Sequence, residues 1–205
     1  MAAPITHIVL TEKIFNKIFP DKNRKDFFIG TVFPDIRYLG CVKREETHLS
    51  QISLKKVQNE GNSFMAGFKF HSLVDNINTN FIHSGIFANS YSKYYAAVDF
   101  VEEELFYNKI SDWNEIIAFF KDILPEEKGF NPNIKDMDLK KWHQIIQNDF
   151  REAPNNKNIR ELARAINFSE DIISKILQTK EELRKDKKII EAIKEFYNNF
   201  EFFLK

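Results

Sequence analysis

Residues 61–81 read Gly-Asn-Ser-Phe-Met-Ala-Gly-Phe-Lys-Phe-His-Ser-Leu-Val-Asp-Asn-Ile-Asn-Thr-Asn-Phe. Gly61-Asn62-Ser63 is a start signal, and no period-two alternation follows it. The spacing predicts a long helix from Ser63 to about Phe81. Phe64, Phe68, His71 and Asp75 fall on one row of that helix. His71 and Asp75, four residues apart, then point the same way. A histidine and an aspartate on an aromatic row is the pattern of a polar site lined by core.

Outward from this stretch the chain keeps reading as helix. Pro4 suits an early helical position, and Ile5, Ile8, Val9, Phe15 and Ile18 form a stripe that Pro20-Asp21 stops. A short helix is expected over Arg24 to Val32, ending before Pro34. Residues 34–62 show no sustained period and read as mostly irregular. A second long helix is expected from about Ala88 to Asn108, with Tyr91, Tyr95, Val98 and Leu105 as its stripe.

Asp112 caps the next expected helix, with Trp113, Ile116, Ile117, Phe120 and Leu124 inward and Pro125 ending it. Residues 125–137 read as a loop. Asp138 caps a further helix through Phe150, and Pro154-Asn155-Asn156 breaks it. A short helix carries Ile159, Leu162 and Ile166. Ser169 opens the last stretch, with a break near Asp186. No segment alternates as a strand, and no Asn-Gly or Asp-Gly hairpin signal joins strand-like runs. The fold class is all-α. The length fits one domain over residues 1–205, with a site-bearing core over 1–110 and a C-terminal helical extension over 111–205.

Thirty Lys and Arg balance thirty Asp and Glu. Zero net charge removes the bulk electrostatic case for nucleic acid or an anionic membrane. The 21 phenylalanines, at helical spacing, read as core. Cys41 is the single cysteine, so no internal disulfide forms, in keeping with a reducing compartment. The first residues carry no basic region followed by an apolar run. No apolar run approaches the roughly 20 residues that span a bilayer. A soluble, cytoplasmic protein is expected; its oligomeric state is not legible.

Chemistry concentrates in His7, Asp35, His48, His71 and Asp75, the imidazoles and carboxylates that hold zinc and similar metals. Four of the five histidines lie in the first 83 residues. Each member also admits a plainer role. His7 could be a core histidine, Asp35 after Pro34 a turn residue, His48 a surface residue, and Asp75 an ion-pair partner of Lys69 or Arg37. His143, beside Trp142 and without a carboxylate at ligand spacing, reads as structural. Arg37 and Arg44 flank the site and are candidates for phosphate binding, since a guanidinium grips two oxygens. A loop ion pair to Glu45 or Glu46 is the alternative.

Three fragments together carry a resemblance. They are Thr6-His7; Gly30-Thr31-Val32-Phe33-Pro34-Asp35 followed by Thr47-His48; and Gly67-Phe68-Lys69-Phe70-His71-Ser72-Leu73-Val74-Asp75. In order and spacing they resemble the bacterial zinc-dependent phospholipase C family, which shares its helical fold with single-strand-specific zinc nucleases. The likeness covers about residues 5–83 and leaves the C-terminal helices outside. It implies a metal held by Asp35, His48, His71 and Asp75, with Asp75 bridging to a second that His7 also binds. Asp35 and Asp75 would then be the catalytic carboxylates. A third position would fall to His83, Asp99 and Glu103. There the chain departs from the family, with Phe81 where a histidine is usual and Asp99 in place of the histidine of a His-x-x-x-Glu pair. The implied activity is hydrolysis of a phosphate ester with one or two zinc ions, on a small phosphoester or a lipid headgroup. The rival reading is a non-catalytic helical protein that retains a structural metal.

Overall fold

The computed structural model describes residues 3–83 and 95–205, with the side chains of Ile82, His83 and Tyr95 outside that description. The class is all-α, with twelve α-helices and no strand among the described residues. Helix α1 is Pro4–Ile18 and α2 is Arg24–Val32. The Asn23 side chain starts α2 by accepting from the Asp26 N–H at 3.1 Å.

Residues expected to be irregular carry short helical pieces instead. A 3-10 segment runs over Phe33–Leu39, α3 over Arg44–Thr47 and α4 over Leu54–Gln58. Pieces of one or two turns are too short to print a 3.6-residue period, which is why the sequence reads as loop there. Gly40 closes the 3-10 segment with φ 80°, a left-handed conformation that glycine adopts without steric cost.

Helix α5 is Ser63–His83. Asn62 caps it, its side chain accepting from the Met65 N–H at 2.9 Å. Helices α2 and α5 pack backbone against backbone. A Cβ on Gly30 would stand 2.1 Å from the Phe64 carbonyl oxygen, and one on Gly67 would stand 2.0 Å from that of Phe27. The two glycines are therefore a reciprocal pair, and a methyl group on either would push the helices apart. Both sit in the fragments that carry the resemblance, four residues before Pro34 and four before His71.

The described part of the next long helix, α6, spans Tyr95–Phe106, and a 3-10 turn follows over Tyr107–Lys109. Residues 88–94 of the expected helix, Tyr91 among them, lie outside the described residues. Helix α7 is Trp113–Phe119, with Asp112 capping the Asn114 N–H at 2.9 Å. Pro125 does not open a loop; it is the first residue of α8, Pro125–Phe130. Proline fits there because its missing N–H would be unpaired anyway. Helix α9 is Asp136–Asp149. Asp138 lies inside its first turn, not at the cap, and its carboxylate accepts the Lys135 N–H at 2.9 Å. Helix α10 is Asn156–Ala165, α11 is Glu170–Leu183 and α12 is Lys187–Phe203. Ser169 and Asp186 cap the last two, at the start and the break that the sequence suggests.

One hydrophobic cluster runs from Ile5 to Leu204. Helix α11 packs on α6, α12 on α1, and α9 on the 3-10 segment that bears Asp35. Most described phenylalanines are inside, including Phe27, Phe28, Phe33, Phe64 and Phe70; Phe202 and Phe203 are the exposed pair at the C-terminus. No described helix is long and apolar enough to cross a membrane.

Candidate metal centre

Five side chains from four places meet at the face where α1 and α5 approach the 3-10 segment. Helix α1 brings His7, the 3-10 segment brings Asp35, the end of α3 brings His48, and α5 brings His71 and Asp75. All five are buried, His7 and His71 completely. Ligand atoms of His7, His71 and Asp75 lie within 4.8 Å of one another, and so do those of Asp35, His48 and His71.

The distances are those of a donor set. His48 Nε2 lies 3.1 Å from His71 Nε2, 3.4 Å from Asp75 Oδ2 and 3.8 Å from Asp35 Oδ1. His71 Nε2 lies 3.7 Å from Asp75 Oδ2. Donors about 2.0–2.1 Å from a tetrahedral ion are about 3.4 Å from each other. The other oxygen of Asp75 faces elsewhere, with Oδ1 3.4 Å from His7 Nε2. The His7 ring stacks on His71 at 4.0 Å with planes 16° apart.

The hydrogen bonding leaves the donor atoms available. His71 Nδ1 is 2.9 Å from the Thr31 carbonyl, which can only accept, so Nδ1 carries the proton. Burial and the neighbouring His7 hold the His71 imidazole well below its ordinary pKa, so Nε2 keeps its lone pair. Both His7 nitrogens and Asp35 Oδ1 are buried without a hydrogen-bond partner among the described residues. Such groups are costly to bury, and a divalent cation between them would satisfy them. Burial, and then the charge of Asp75, push the Asp35 carboxyl up. Burial also acts upward on Asp75. The neighbouring imidazoles, His71 first and then His48 and His7, outweigh it and hold that carboxyl well below the usual range. Three imidazoles and two carboxylates suit a divalent metal ion by ligand chemistry, and the two carboxylates, once ionised, balance one dication.

A cleft of about 430 Å³ adjoins His48 and Asp75, lined also by Arg44, Glu45, Ser50 and Asn76. The Arg44 side chain is half exposed, with Nη2 3.8 Å from Asp75 Oδ2. Arg37 takes a different position, over the Tyr38 ring at 4.0 Å and 3.6 Å from Asp35 Oδ1. It orients a carboxylate, whereas Arg44 faces the cleft.

Of the residues expected at a third position, Asp99 and Glu103 are not members of either ligand group. Glu103 Oε1 accepts the Ile5 N–H at 2.8 Å, supplying the first turn of α1 with the acceptor that Ala3 lacks. Asp99 is pushed up to about 7, chiefly by burial. The side chain of His83 lies outside the described residues. His143, read as structural, does have a carboxylate partner: Nε2 is 2.7 Å from Glu127 Oε1, and Nδ1 is 3.1 Å from the Phe120 carbonyl. Glu127, sixteen residues earlier, is invisible to any helical-spacing search. The Thr31 carbonyl was equally hidden, because a backbone group has no letter in the sequence.

Comparison of the chain with protein-family models, with curated proteins and with solved structures returns no match.

Proposed function

We propose that this protein is a metal-dependent phosphoesterase, in keeping with its resemblance to zinc-dependent phospholipase C. The observation that carries the reading is the buried His/Asp set beside a polar cleft that contains an arginine. Asp35, His48, His71 and Asp75 would hold one ion, and Asp75 with His7 would share a second. When bound, a divalent ion supplies Lewis acidity and a water pKa lowered toward about 7. Asp35 and Asp75 supply the negative charge that keeps it there. Arg44 meets the phosphate, its planar fork matching two oxygens, and Ser50 and Asn76 offer further polar contacts from the cleft wall. His7 and His71, buried and stacked, keep the inner side of the set closed to bulk water.

The test is elemental analysis of the native protein, followed by assays on phosphomonoesters, phosphodiesters and phospholipids with added zinc or manganese. One or two ions per chain and turnover of at least one class are expected. A metal-loaded protein inert on all three classes would overturn the enzyme reading and leave a helical protein with a structural metal.

A further inference from the structure

His48 differs from His71 in what sits behind it. The Nδ1 of His71 rests on a backbone carbonyl, whose role is fixed. The Nδ1 of His48 lies 2.8 Å from Thr47 Oγ1, a hydroxyl that can turn. That hydroxyl has a second neighbour, the Arg44 carbonyl at 3.3 Å, to which it donates. With its proton placed there, Thr47 presents a lone pair to His48. Thr47 is fully buried, so no water competes for the position.

We infer that Thr47 is the positioning residue of this centre. Its hydroxyl accepts the His48 Nδ1–H, which turns the Nε2 lone pair inward toward His71, Asp35 and Asp75. The hydroxyl thus does from a side chain what the Thr31 carbonyl does from the backbone. Partners behind a ligating imidazole set both its tautomer and its angle, and removing one typically costs 10–100-fold in metal affinity. The same short helix carries Arg44 at the cleft and His48 at its end. Thr47 therefore ties the ligand to the turn that bears the cleft arginine. The inference rests on the metal reading above and is tested separately from it.

The experiment compares wild type, Thr47→Val and Thr47→Ser. Valine keeps the buried shape and removes the hydroxyl, while serine keeps the hydroxyl. Zinc affinity is measured by competition with a chromophoric chelator. The expected result is a roughly 10–100-fold loss in the valine variant and near wild-type affinity in the serine variant. Nitrogen-15 spectra of the zinc-loaded wild type should place the His48 proton on Nδ1, protected from exchange. The serine variant should match, and the valine variant should exchange that proton faster. A folded valine variant that binds zinc like wild type overturns the inference. So does a His48 proton on Nε2 in the loaded wild type, a measurement that stands even if the valine variant does not fold. Wild type that binds neither zinc nor manganese overturns the metal reading itself. Binding that is insensitive to Thr47 overturns only this step.

Discussion

Two sets of buried histidines stand about equally deep in this molecule, and they are built differently. His143 has both ring nitrogens engaged, one by the Phe120 carbonyl and one by Glu127, which itself accepts the Leu124 N–H at 2.7 Å. His48 and His71 each have Nδ1 engaged and Nε2 turned toward the other and toward carboxylates, while His7 has neither nitrogen hydrogen-bonded among the described residues. A histidine that serves only structure is satisfied by its own protein. A histidine left unsatisfied at the same depth costs stability, and that cost needs a bound partner to offset it. The distinction is one of hydrogen bonds, not of burial or residue type.

The largest expected effect breaks the unsatisfied set at its shared carboxylate. Asp75→Asn keeps shape and removes the charge that both ends of the set use. On the proposed function it should lower turnover by about 10²–10³-fold, the equivalent of several kcal/mol of lost stabilisation. Helical content by circular dichroism should stay unchanged, and bound metal should fall. Full turnover in this variant would refute the mechanism. Arg44→Ala, which removes the proposed phosphate contact at the cleft rim, should cost less and leave metal content intact.

The next effect separates the two kinds of histidine through stability. His143→Leu strips Glu127 of its partner in a fully buried place, and breaking such a pair costs about 3–5 kcal/mol. His7→Leu removes two nitrogens that make no hydrogen bond but also the 3.4 Å approach of Nε2 to Asp75 Oδ1, so the metal-free protein should stay within about 1 kcal/mol of wild type. Metal content should respond the other way, unchanged in the first variant and reduced in the second. Denaturant unfolding in the presence of a chelator, paired with metal analysis, reads both. If both leucine variants lose similar stability, His7 is an ordinary core histidine.

Much of this is legible in the sequence. The row of Phe64, Phe68, His71 and Asp75 is a helical pattern, and it placed the two polar residues together on the inner face. The glycines at 30 and 67 were visible as letters, but their purpose was not. Only the crossing of α2 and α5 shows that they let Thr31 reach His71. The short helices between 33 and 58 are not legible in the sequence, because one or two turns carry no detectable period. Glu127 escaped for a related reason: its bond to His143 is a product of tertiary packing between two helices.

Carboxylates sharpen the same contrast through pH. Glu102 on α6 is fully buried and pushed up to about 8, by burial first and by Asp99 next, with the Asn78 amide at 2.9 and 3.1 Å opposing. Its folded pKa exceeds the unfolded value of 4.5. Its contribution to stability is therefore complete below about 4.5 and lost as pH rises toward about 8, a swing of at most about 5 kcal/mol. Asp75 has the opposite sign: its contribution holds above about 3.9 and is lost as pH falls through its depressed folded pKa. Unfolding of the metal-free protein across this range should show stability declining toward alkaline pH, and Glu102→Gln should flatten the decline. An unaltered slope would show that Glu102 is ionised throughout.

The smallest effect concerns Glu103, which stands nearest the line between helix cap and ligand. Its carboxylate accepts the Ile5 N–H two residues before His7, so it supports α1 without joining the donor set. Glutamine retains an oxygen that can accept the same bond. Glu103→Gln should therefore shift unfolding by no more than about 1 kcal/mol, the scale of one hydrogen bond. Glu103→Leu removes the acceptor and strands the Ile5 N–H in a buried place, at a cost of about 1–3 kcal/mol. Metal content should be unchanged in both, because neither alters His7, His71 or Asp75. If the glutamine variant loses an ion while its stability holds, Glu103 belongs to the centre, and the first turn of α1 is capped by a ligand.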